Sequence, residues 1–152
     1  MADHIKILLE YEGSAPTDRE IESVWAFPVE GGYQIDNIPF YAREIALGDV
    51  VSTTKDIDGS LRFSSLVRPS GHSTVRLWFA KDRVEDVALV RQKLREMKCA
   101  SEQSDLPRLV AIDIPPSVSY ESALKLFVEG EKAGLFEYEE ACLGANAIDS
   151  NR

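Results

Sequence analysis

The sequence predicts an α+β protein in which N-terminal antiparallel strands, forming a curled sheet or half-barrel, are joined to a ferredoxin-like β-α-β-α-β layer. Three observations support this fold class. Short alternating apolar segments separated by turn residues fill the first half of the chain. Two segments of the second half place apolar residues at helical spacing. These two helices alternate with strand-like segments through short connections, the order expected when two helices cover one face of a sheet.

The first two predicted strands run from Ile5 to Tyr11 and from Ile21 to Val29. In the second strand Trp25, Phe27 and Val29 alternate with smaller or polar residues. Because successive side chains of a strand point to opposite faces, we expect these three residues to form the buried face.

The glycines of Glu30-Gly31-Gly32 predict a tight hairpin that leads into a third strand, Tyr33 to Asp36. A fourth strand begins in the segment Leu47 to Val51 and reaches a turn at Asp56 to Gly59. A fifth strand, Leu61 to Val67, returns antiparallel to it.

The second half opens with a predicted strand, Thr74 to Phe79, and a helix that starts at Asp82. We expect Asp82 to cap this helix while Glu85 reaches back in a capping box. The segment Ala100 to Pro107 is predicted to be a polar linker. The apolar run Leu109 to Ile114 is predicted to be a strand in the middle of the sheet.

Ser119 is the expected cap of a second helix, and Gly134 is expected to end it in the left-handed conformation. The last predicted strand is Phe136 to Cys142. We predict one compact domain over residues 1–145, with a strand-rich part at about 4–70 and the β-α-β-α-β part at about 72–143. Residues 146–152 are predicted to be a frayed tail.

Composition and charge exclude several classes of protein. The formal net charge is −9, from 26 acidic and 17 basic residues, so the field of the protein repels nucleic acid and anionic lipid and attracts a basic partner. Acidity that serves solubility alone remains an alternative. No apolar run is long enough to span a membrane and the N-terminus lacks the pattern of a signal peptide, so we expect a cytoplasmic protein.

Neither a cofactor nor a metal site is expected. Cys99 and Cys142 lie far apart without nearby ligands, which is typical of free thiols in a reducing compartment. The two histidines, His4 and His72, do not have ligand spacing to any carboxylate or cysteine motif.

The densest polar segment, Arg68 to Arg76, allows three interpretations. As a structural turn, it would use its hydroxyl groups to satisfy backbone donors. As an anion or partner site, it would use Arg68, Ser70, His72, Ser73 and Arg76 around the exposed backbone of Gly71. As a catalytic site, it would need an orienting carboxylate and an oxyanion hole, which the sequence does not identify, so we predict no catalytic residues.

An acidic and aromatic segment near the end of the chain is the second candidate surface. It can be a solvated face or a site for a basic partner. The residues concerned are Glu129, Glu131, Phe136, Glu137, Tyr138, Glu139 and Glu140.

Four segments together resemble the bacterial domain-of-unknown-function family 4265, over nearly the whole chain. They are Val24-Trp25-Ala26-Phe27-Pro28, Tyr33 to Ala42, Leu47-Gly48-Asp49-Val50-Val51, and Ser70-Gly71-His72-Ser73-Thr74-Val75-Arg76. The resemblance implies a small bacterial protein of a type found among accessory genes, which include immunity proteins of interbacterial toxins. It implies no activity and no catalytic residues.

Three functional hypotheses follow. The first is a non-enzymatic protein-binding protein, an immunity or antitoxin-like inhibitor of a bacterial toxin with a basic domain, because an inhibitor needs complementary surface and no reactive group. The second is a sensor of an anionic small molecule at Arg68, His72 and Arg76. The third is a hydrolase or transferase that uses Ser70, His72 or Ser73.

Overall fold

The structure is a computed structural model that describes residues 3–13 and 18–150. Its first half is a five-stranded barrel in which each strand pairs antiparallel with the next. The strands are β1 (Ile5–Glu12), β2 (Arg19–Val29), β3 (Gly32–Ile35), β4 (Val50–Lys55) and β5 (Leu61–Arg68). The curled antiparallel sheet predicted from the sequence is therefore confirmed.

The sheet curls far enough for its first and last strands to meet. β1 and β5 pair in parallel through Ile7 with Leu61 and Leu8 with Arg62. Register shifts between β4 and β5 bend this pair, as β-bulges do in small barrels. The sheet thus closes on itself at one end.

The buried face of β2 is the opposite of the predicted one. Val24 and Ala26 are buried, whereas Trp25 is 41% exposed. Lys6 lies over the outer ring of Trp25, and His4 stacks on that ring with centroids 5.6 Å apart. The prediction failed because alternation defines two faces of a strand without saying which one lies inside, and here the set with Val24 and Ala26 fills the barrel.

The second half is a four-stranded antiparallel sheet in the order β7-β8-β6-β9. Its strands are β6 (Ser73–Phe79), β7 (Ala100–Gln103), β8 (Leu109–Ile114) and β9 (Phe136–Cys142). β8 pairs on both sides, which confirms its predicted place inside the sheet. The predicted polar linker is wrong in part, because its first four residues form the edge strand β7.

Helices cover the face of this sheet that carries Val75, Leu77 and Phe79. A 3-10 helix, Lys81–Asp86, leads into α1 (Val87–Glu96), and α2 (Tyr120–Lys132) connects β8 to β9. The two predicted helices are confirmed.

Two of the predicted helix ends are confirmed and one is wrong. The hydroxyl of Ser119 accepts a hydrogen bond from the backbone N–H of Ser122, and Gly134 has a φ of 76°. Asp82, in contrast, caps nothing, because the turn it belongs to starts at Lys81 as a 3-10 helix without a side-chain cap.

The segment after Gly144 is helical and not frayed as far as the described residues reach. Residues Ala145–Ser150 form a short helix, α3. Ala147 is buried in the core beneath the helices, and this apolar contact explains why the segment is ordered. Residues 151–152 of the predicted tail lie outside the described part of the chain.

Each half encloses its own apolar core. The barrel core is built around Ile7, Leu9, Val24 and Val51, and the sheet–helix core around Leu77, Phe79 and Phe127. The second face of the sheet, opposite the helices, turns towards the barrel. Among the helices of the described residues, none is long and apolar enough to cross a membrane.

Candidate functional site

The connection between β3 and β4, residues 36–49, lies between the barrel and the sheet. Its segment Pro39–Ala42, which we call the junction loop, has no regular secondary structure, yet Pro39 and Ala42 are buried. Buried backbone groups outside helices and sheets need other partners. Two charged side chains, one from each half of the molecule, supply them.

Glu22 on β2 binds the junction loop from the barrel side. One carboxylate oxygen, Oε1, accepts hydrogen bonds from the backbone N–H groups of Tyr41 and Ala42, each at 3.0 Å. The other oxygen, Oε2, accepts from the N–H of Phe40 at 2.5 Å. Three consecutive amides of the loop are thus held by one carboxylate, the kind of charge-assisted contact that is stronger than a neutral hydrogen bond.

Arg76 on β6 binds the same loop from the sheet side. Its guanidinium donates to the carbonyl oxygens of Pro39, Tyr41 and Ala42 at 2.9 to 3.2 Å. Nε and Nη2 also donate to Glu139 Oε1, at 3.0 and 2.8 Å. A guanidinium has five N–H groups, so all the donors of Arg76 are used within the molecule.

These contacts argue against the predicted anion site. Arg76 is only 6% exposed and has no donor left for a ligand, and Arg68 lies at the exposed end of β5. The structure therefore does not show a pair of arginines flanking Gly71. Two charged residues near this loop also have partners within the molecule: Arg43 lies 3.6 Å from Glu139, and Asp49 accepts from the N–H groups of Ala46 and Ser70.

The hydroxyl groups of the predicted polar segment are used locally. Ser70 Oγ donates to the carbonyl of Leu47 and accepts from the N–H of His72. Ser73 is buried, and its Oγ accepts from the N–H of Gly144 at 2.9 Å. Neither hydroxyl contacts the imidazole of His72, so no Ser–His nucleophile pair is formed, and this part of the segment has the structural role of a turn.

His72 instead pairs with a residue that the sequence did not identify. Its Nδ1 lies 2.8 Å and 3.0 Å from the two carboxylate oxygens of Asp113 on β8. Asp113 is 3% exposed, and burial raises its pKa although the hydrogen bond with His72 lowers it. This contact leaves Nε2, the other ring nitrogen of a partly exposed imidazole, with no hydrogen-bond partner among the described residues.

The junction loop forms one wall of a cleft of about 440 Å³, the junction cleft, which lies between the barrel and the sheet. Most of its walls are aromatic rings and carboxylates. The lining residues are Tyr11, Glu12, Phe40, Tyr41, Arg76, Trp78, Leu106, Leu109, Glu137, Tyr138 and Glu139. Both halves of the chain contribute, since Tyr11 and Glu12 belong to β1 whereas Trp78 and Glu137 belong to the sheet.

The surroundings of the junction cleft are negative. Tyr11 donates its hydroxyl to Glu20 at 2.9 Å, and burial, Glu20 and other nearby acidic groups raise its pKa to about 12. Glu139 is neutralised by Arg76, but Glu137 is exposed and has no ion pair or hydrogen bond within the described residues. A positively charged ligand would therefore be favoured here.

The predicted acidic and aromatic segment is divided between several environments. Glu137, Tyr138 and Glu139 line the junction cleft. Phe136 is a core residue packed edge-on against Phe79, and Glu140 accepts a hydrogen bond from the buried Tyr120, so both side chains make contacts inside the molecule and their partner-binding role stays a prediction.

Glu129 and Glu131 lie elsewhere, on the exposed surface of α2. Glu131 accepts from the backbone N–H of Tyr138, which belongs to the edge strand β9.

Sequence reasoning missed Glu22, Tyr11, Tyr41, Trp78 and Asp113. Asp113 could have been noticed, because it is the one charged residue inside the apolar run Leu109–Ile114, where an unpaired carboxylate would be costly. The others lack such a signal, since they come together only through the packing of the two halves. Within residues 3–13 and 18–150 no group of three or more His, Cys, Asp or Glu side chains is placed to hold a metal ion.

Comparisons with known proteins identify a family and a fold. The family model described as "Domain of unknown function (DUF4265)" matches residues 22–138. A solved structure, a hypothetical protein from Neisseria gonorrhoeae, is 21% identical and superposes with a TM-score of 0.78 over 95% of this chain and 98% of its own. That similarity concerns the fold alone. No curated protein matches the sequence.

Proposed function

The chain belongs to the DUF4265 family, and we propose that it is a non-enzymatic binding protein whose junction cleft receives a basic segment of a protein partner. The observation that carries this proposal is the pair of contacts that fix the junction loop. Glu22 holds its amides and Arg76 holds its carbonyl groups, so Phe40 and Tyr41 are presented to the cleft from a fixed backbone.

Fixed binding residues favour affinity because little conformational entropy is lost when the partner arrives. Aromatic residues such as Tyr41 and Trp78 are the side chains that most often contribute to binding energy at interfaces. Trp78 is 38% exposed in this cleft and Tyr41 is also 38% exposed, so both can be reached from outside.

Among binding proteins, an immunity or antitoxin-like inhibitor that acts in the cytoplasm on a bacterial toxin with a basic domain is the class we propose. The net charge of −9 and the acidic residues at the cleft support a basic partner. An inhibitor acts by covering the surface of its target, which agrees with a site made of rings and carboxylates.

The sheet also supports the fold proposed for this half of the chain. Four antiparallel strands in the order β7-β8-β6-β9, with one helix between β6 and β7 and another between β8 and β9, fit a ferredoxin-like layer. In that arrangement the face without helices is available for contacts, and here it meets the barrel.

Affinity capture with the tagged protein from its own cells tests the proposal. We expect one stoichiometric basic partner, released by salt, which the double variant Tyr41→Ala/Glu137→Gln fails to retain. The matched control is Leu89→Ala/Glu85→Gln, which alters an exposed leucine and an exposed glutamate on the helix side of the sheet. Equal retention by both double variants would contradict the proposal.

The inhibitor class has its own test. Co-expression should protect cells from a toxin that carries the captured domain, and the cleft variant should protect them less. If the captured partner has no toxic activity, the protein still binds through the cleft but the inhibitor class is wrong.

A second candidate function, a hydrolase or transferase, is favoured by the His72–Asp113 contact. A carboxylate that accepts from Nδ1 fixes the tautomer in which Nε2 can accept a proton, as a general base must. In a panel of activated esters, an enzyme should lose at least about tenfold in rate on His72→Gln, a typical lower bound for removing a general base. His4→Gln, which alters the other histidine, should have no effect.

The anionic sensor has less support than either. It needs free donors at Arg68, His72 and Arg76, and those of Arg76 are all occupied. An increase in Tm with inorganic phosphate would support the sensor hypothesis only if the increase disappeared in the variant Arg68→Gln.

A further inference from the structure

Aromatic rings stand on both sides of the junction cleft. On the barrel side, Tyr11 and Tyr41 are stacked, with centroids 5.2 Å apart and an angle of 15° between the ring planes. On the sheet side stands Trp78, the indole that lines the cleft beside Leu109. The faces of such rings attract cations, and indole does so most strongly.

Trp78 already binds a guanidinium within this molecule. The Cζ atom of Arg108 lies 4.4 Å from the centroid of its ring. Arg108 belongs to a neighbouring cleft of about 860 Å³ and is absent from the lining of the junction cleft, whereas Trp78, Glu137 and Tyr138 line both. This contact shows that the indole accepts a guanidinium, and the guanidinium that it holds comes from a residue outside the lining of the junction cleft.

A carboxylate stands next to the indole. Glu137 on β9 is directly opposite Trp78 on β6 in the sheet register, so the two side chains leave the sheet on the same face. Glu137 is exposed and makes no ion pair in the part of the chain that the structure describes. Arg76, the basic residue among the lining groups, is saturated and adds no competing donor.

We infer that the junction cleft is a binding site for an arginine side chain of the partner. The guanidinium would lie between the tyrosine pair and Trp78 and form an ion pair with Glu137. This inference rests on the proposed function, because it names the group of the partner that the cleft recognises. Arginine fits better than lysine because its guanidinium is planar, stacks on aromatic rings and binds a carboxylate through two N–H groups.

The arrangement also predicts which groups are rejected. A neutral side chain of the same shape keeps the stacking area but gains nothing from Glu137. An anionic side chain is repelled by Glu12 and Glu137.

Titration with short peptides tests the inference without the partner. The chain has two tryptophans, and in the variant Trp25→Phe the fluorescence reports on Trp78 alone. The probes are acetyl-Gly-Arg-Gly-amide, its lysine analogue, and its citrulline analogue, in which the guanidinium is replaced by a neutral group of equal shape. We expect a saturable change with the arginine peptide, binding at least about fivefold weaker for lysine, and at least about tenfold weaker for citrulline.

Variants locate the binding. Glu137→Gln should weaken the arginine peptide at least about fivefold, a typical effect of losing one charged contact, whereas Glu85→Gln, an exposed glutamate on the helix side, should not change it. Equal binding of the arginine and citrulline peptides, or no change in Trp78 emission at millimolar peptide, would overturn the inference.

The two proposals can fail separately. If a partner is captured through Tyr41 and Glu137 while the arginine peptide does not bind, the inference of an arginine-binding site is wrong and the protein-binding function stands. If the arginine peptide binds in the cleft while no protein is captured, the cleft recognises a guanidinium, but the protein-binding function is wrong.

Discussion

Glu22 and Arg76 divide the polar groups of one short loop between them. The carboxylate takes three amide donors and the guanidinium takes three carbonyl acceptors, although the two residues are far apart in the chain. Because each side chain belongs to a different half of the molecule, the loop joins the barrel to the sheet through charge-assisted hydrogen bonds.

Replacing Arg76 should measure the strength of that junction. Arg76→Met removes five hydrogen bonds and leaves buried carbonyl groups of the loop without a donor, so we expect a loss of about 2 to 4 kcal/mol in the free energy of unfolding. Urea denaturation measures it.

Arg43→Met is the matched control. The side chain of Arg43 is 62% exposed and lies 3.6 Å from Glu139, which also pairs with Arg76. Its replacement should therefore lower the free energy of unfolding by no more than about 0.5 kcal/mol. Equal costs for the two variants would show that the bonds of Arg76 to the loop contribute nothing.

For single residues, the sequence shows which polar side chains need a partner better than it shows which residue that partner is. The segment from Arg68 to Arg76 contains two residues that prove central, His72 and Arg76. Their side-chain partners, Asp113 and Glu139, lie 41 and 63 positions away and could not be named without the fold. Polar residue type indicates that a side chain needs a partner, but only strand register decides which one it meets.

Among the elements, α2 and β9 pack closely where Gly130 of the helix faces the ring of Phe136 on the strand. A Cβ atom on Gly130 would lie 2.1 Å from Cζ of Phe136, far inside contact distance. Glycine in a helix ordinarily costs about 1 kcal/mol relative to alanine. At position 130 this lower helix propensity is offset because the absence of a Cβ lets the ring of Phe136 approach.

Gly130→Ala should therefore destabilise the protein despite the gain in helix propensity. Forcing extra volume into a packed core costs roughly 1 to 3 kcal/mol, which exceeds the propensity gain. Thermal unfolding should show a lower Tm. In the background Phe136→Leu, where the ring is gone, the same substitution should cost less, and an equal cost in both backgrounds would contradict the steric explanation.

The sequence predicts where helices and strands lie more reliably than it predicts which of their faces is buried. The helices and most strands were predictable because their apolar spacing is regular. β7 was missed because Ala100–Gln103 is a short, polar edge strand that carries no such pattern. The face of β2 was inverted because alternation gives the period of burial but leaves open which of the two sets lies inside.

For the molecule as a whole, the two buried cysteine thiols predict how the free energy of unfolding changes at alkaline pH. Burial raises the pKa of Cys99 to about 11, and burial with nearby acidic groups raises that of Cys142 to about 12. Above about pH 9 these thiols ionise in the unfolded chain before they ionise in the folded one, so the folded state binds more protons. Stability should consequently be unaffected by these thiols below pH 9 and fall from pH 9 to 12.

Urea titrations at pH 8, 9 and 10 measure this dependence. The variant Cys99→Ala/Cys142→Ala should lose less stability than the wild type between pH 9 and 10, when each is compared with its own value at pH 8. Parallel curves for the two proteins would mean that the thiols do not cause the alkaline loss.

The general architecture was accessible from the sequence, whereas the way the halves meet was not. Two differently patterned halves predicted an α+β chain with a curled N-terminal sheet. Closure of that sheet depends on two pairs between β1 and β5, and the cleft depends on a loop without regular structure. Neither feature has a periodic signature, because both arise from contacts between residues distant in the chain.

Amide hydrogen exchange of Phe40, Tyr41 and Ala42, followed by NMR, tests most directly whether the junction loop is fixed between the two halves. If the loop is fixed, these amides are protected about as well as those of the strands, and they exchange at least about tenfold faster in Glu22→Gln, since losing about 1.4 kcal/mol of local stability has that effect. Unprotected amides in the wild type, or rates unchanged by Glu22→Gln, would contradict it.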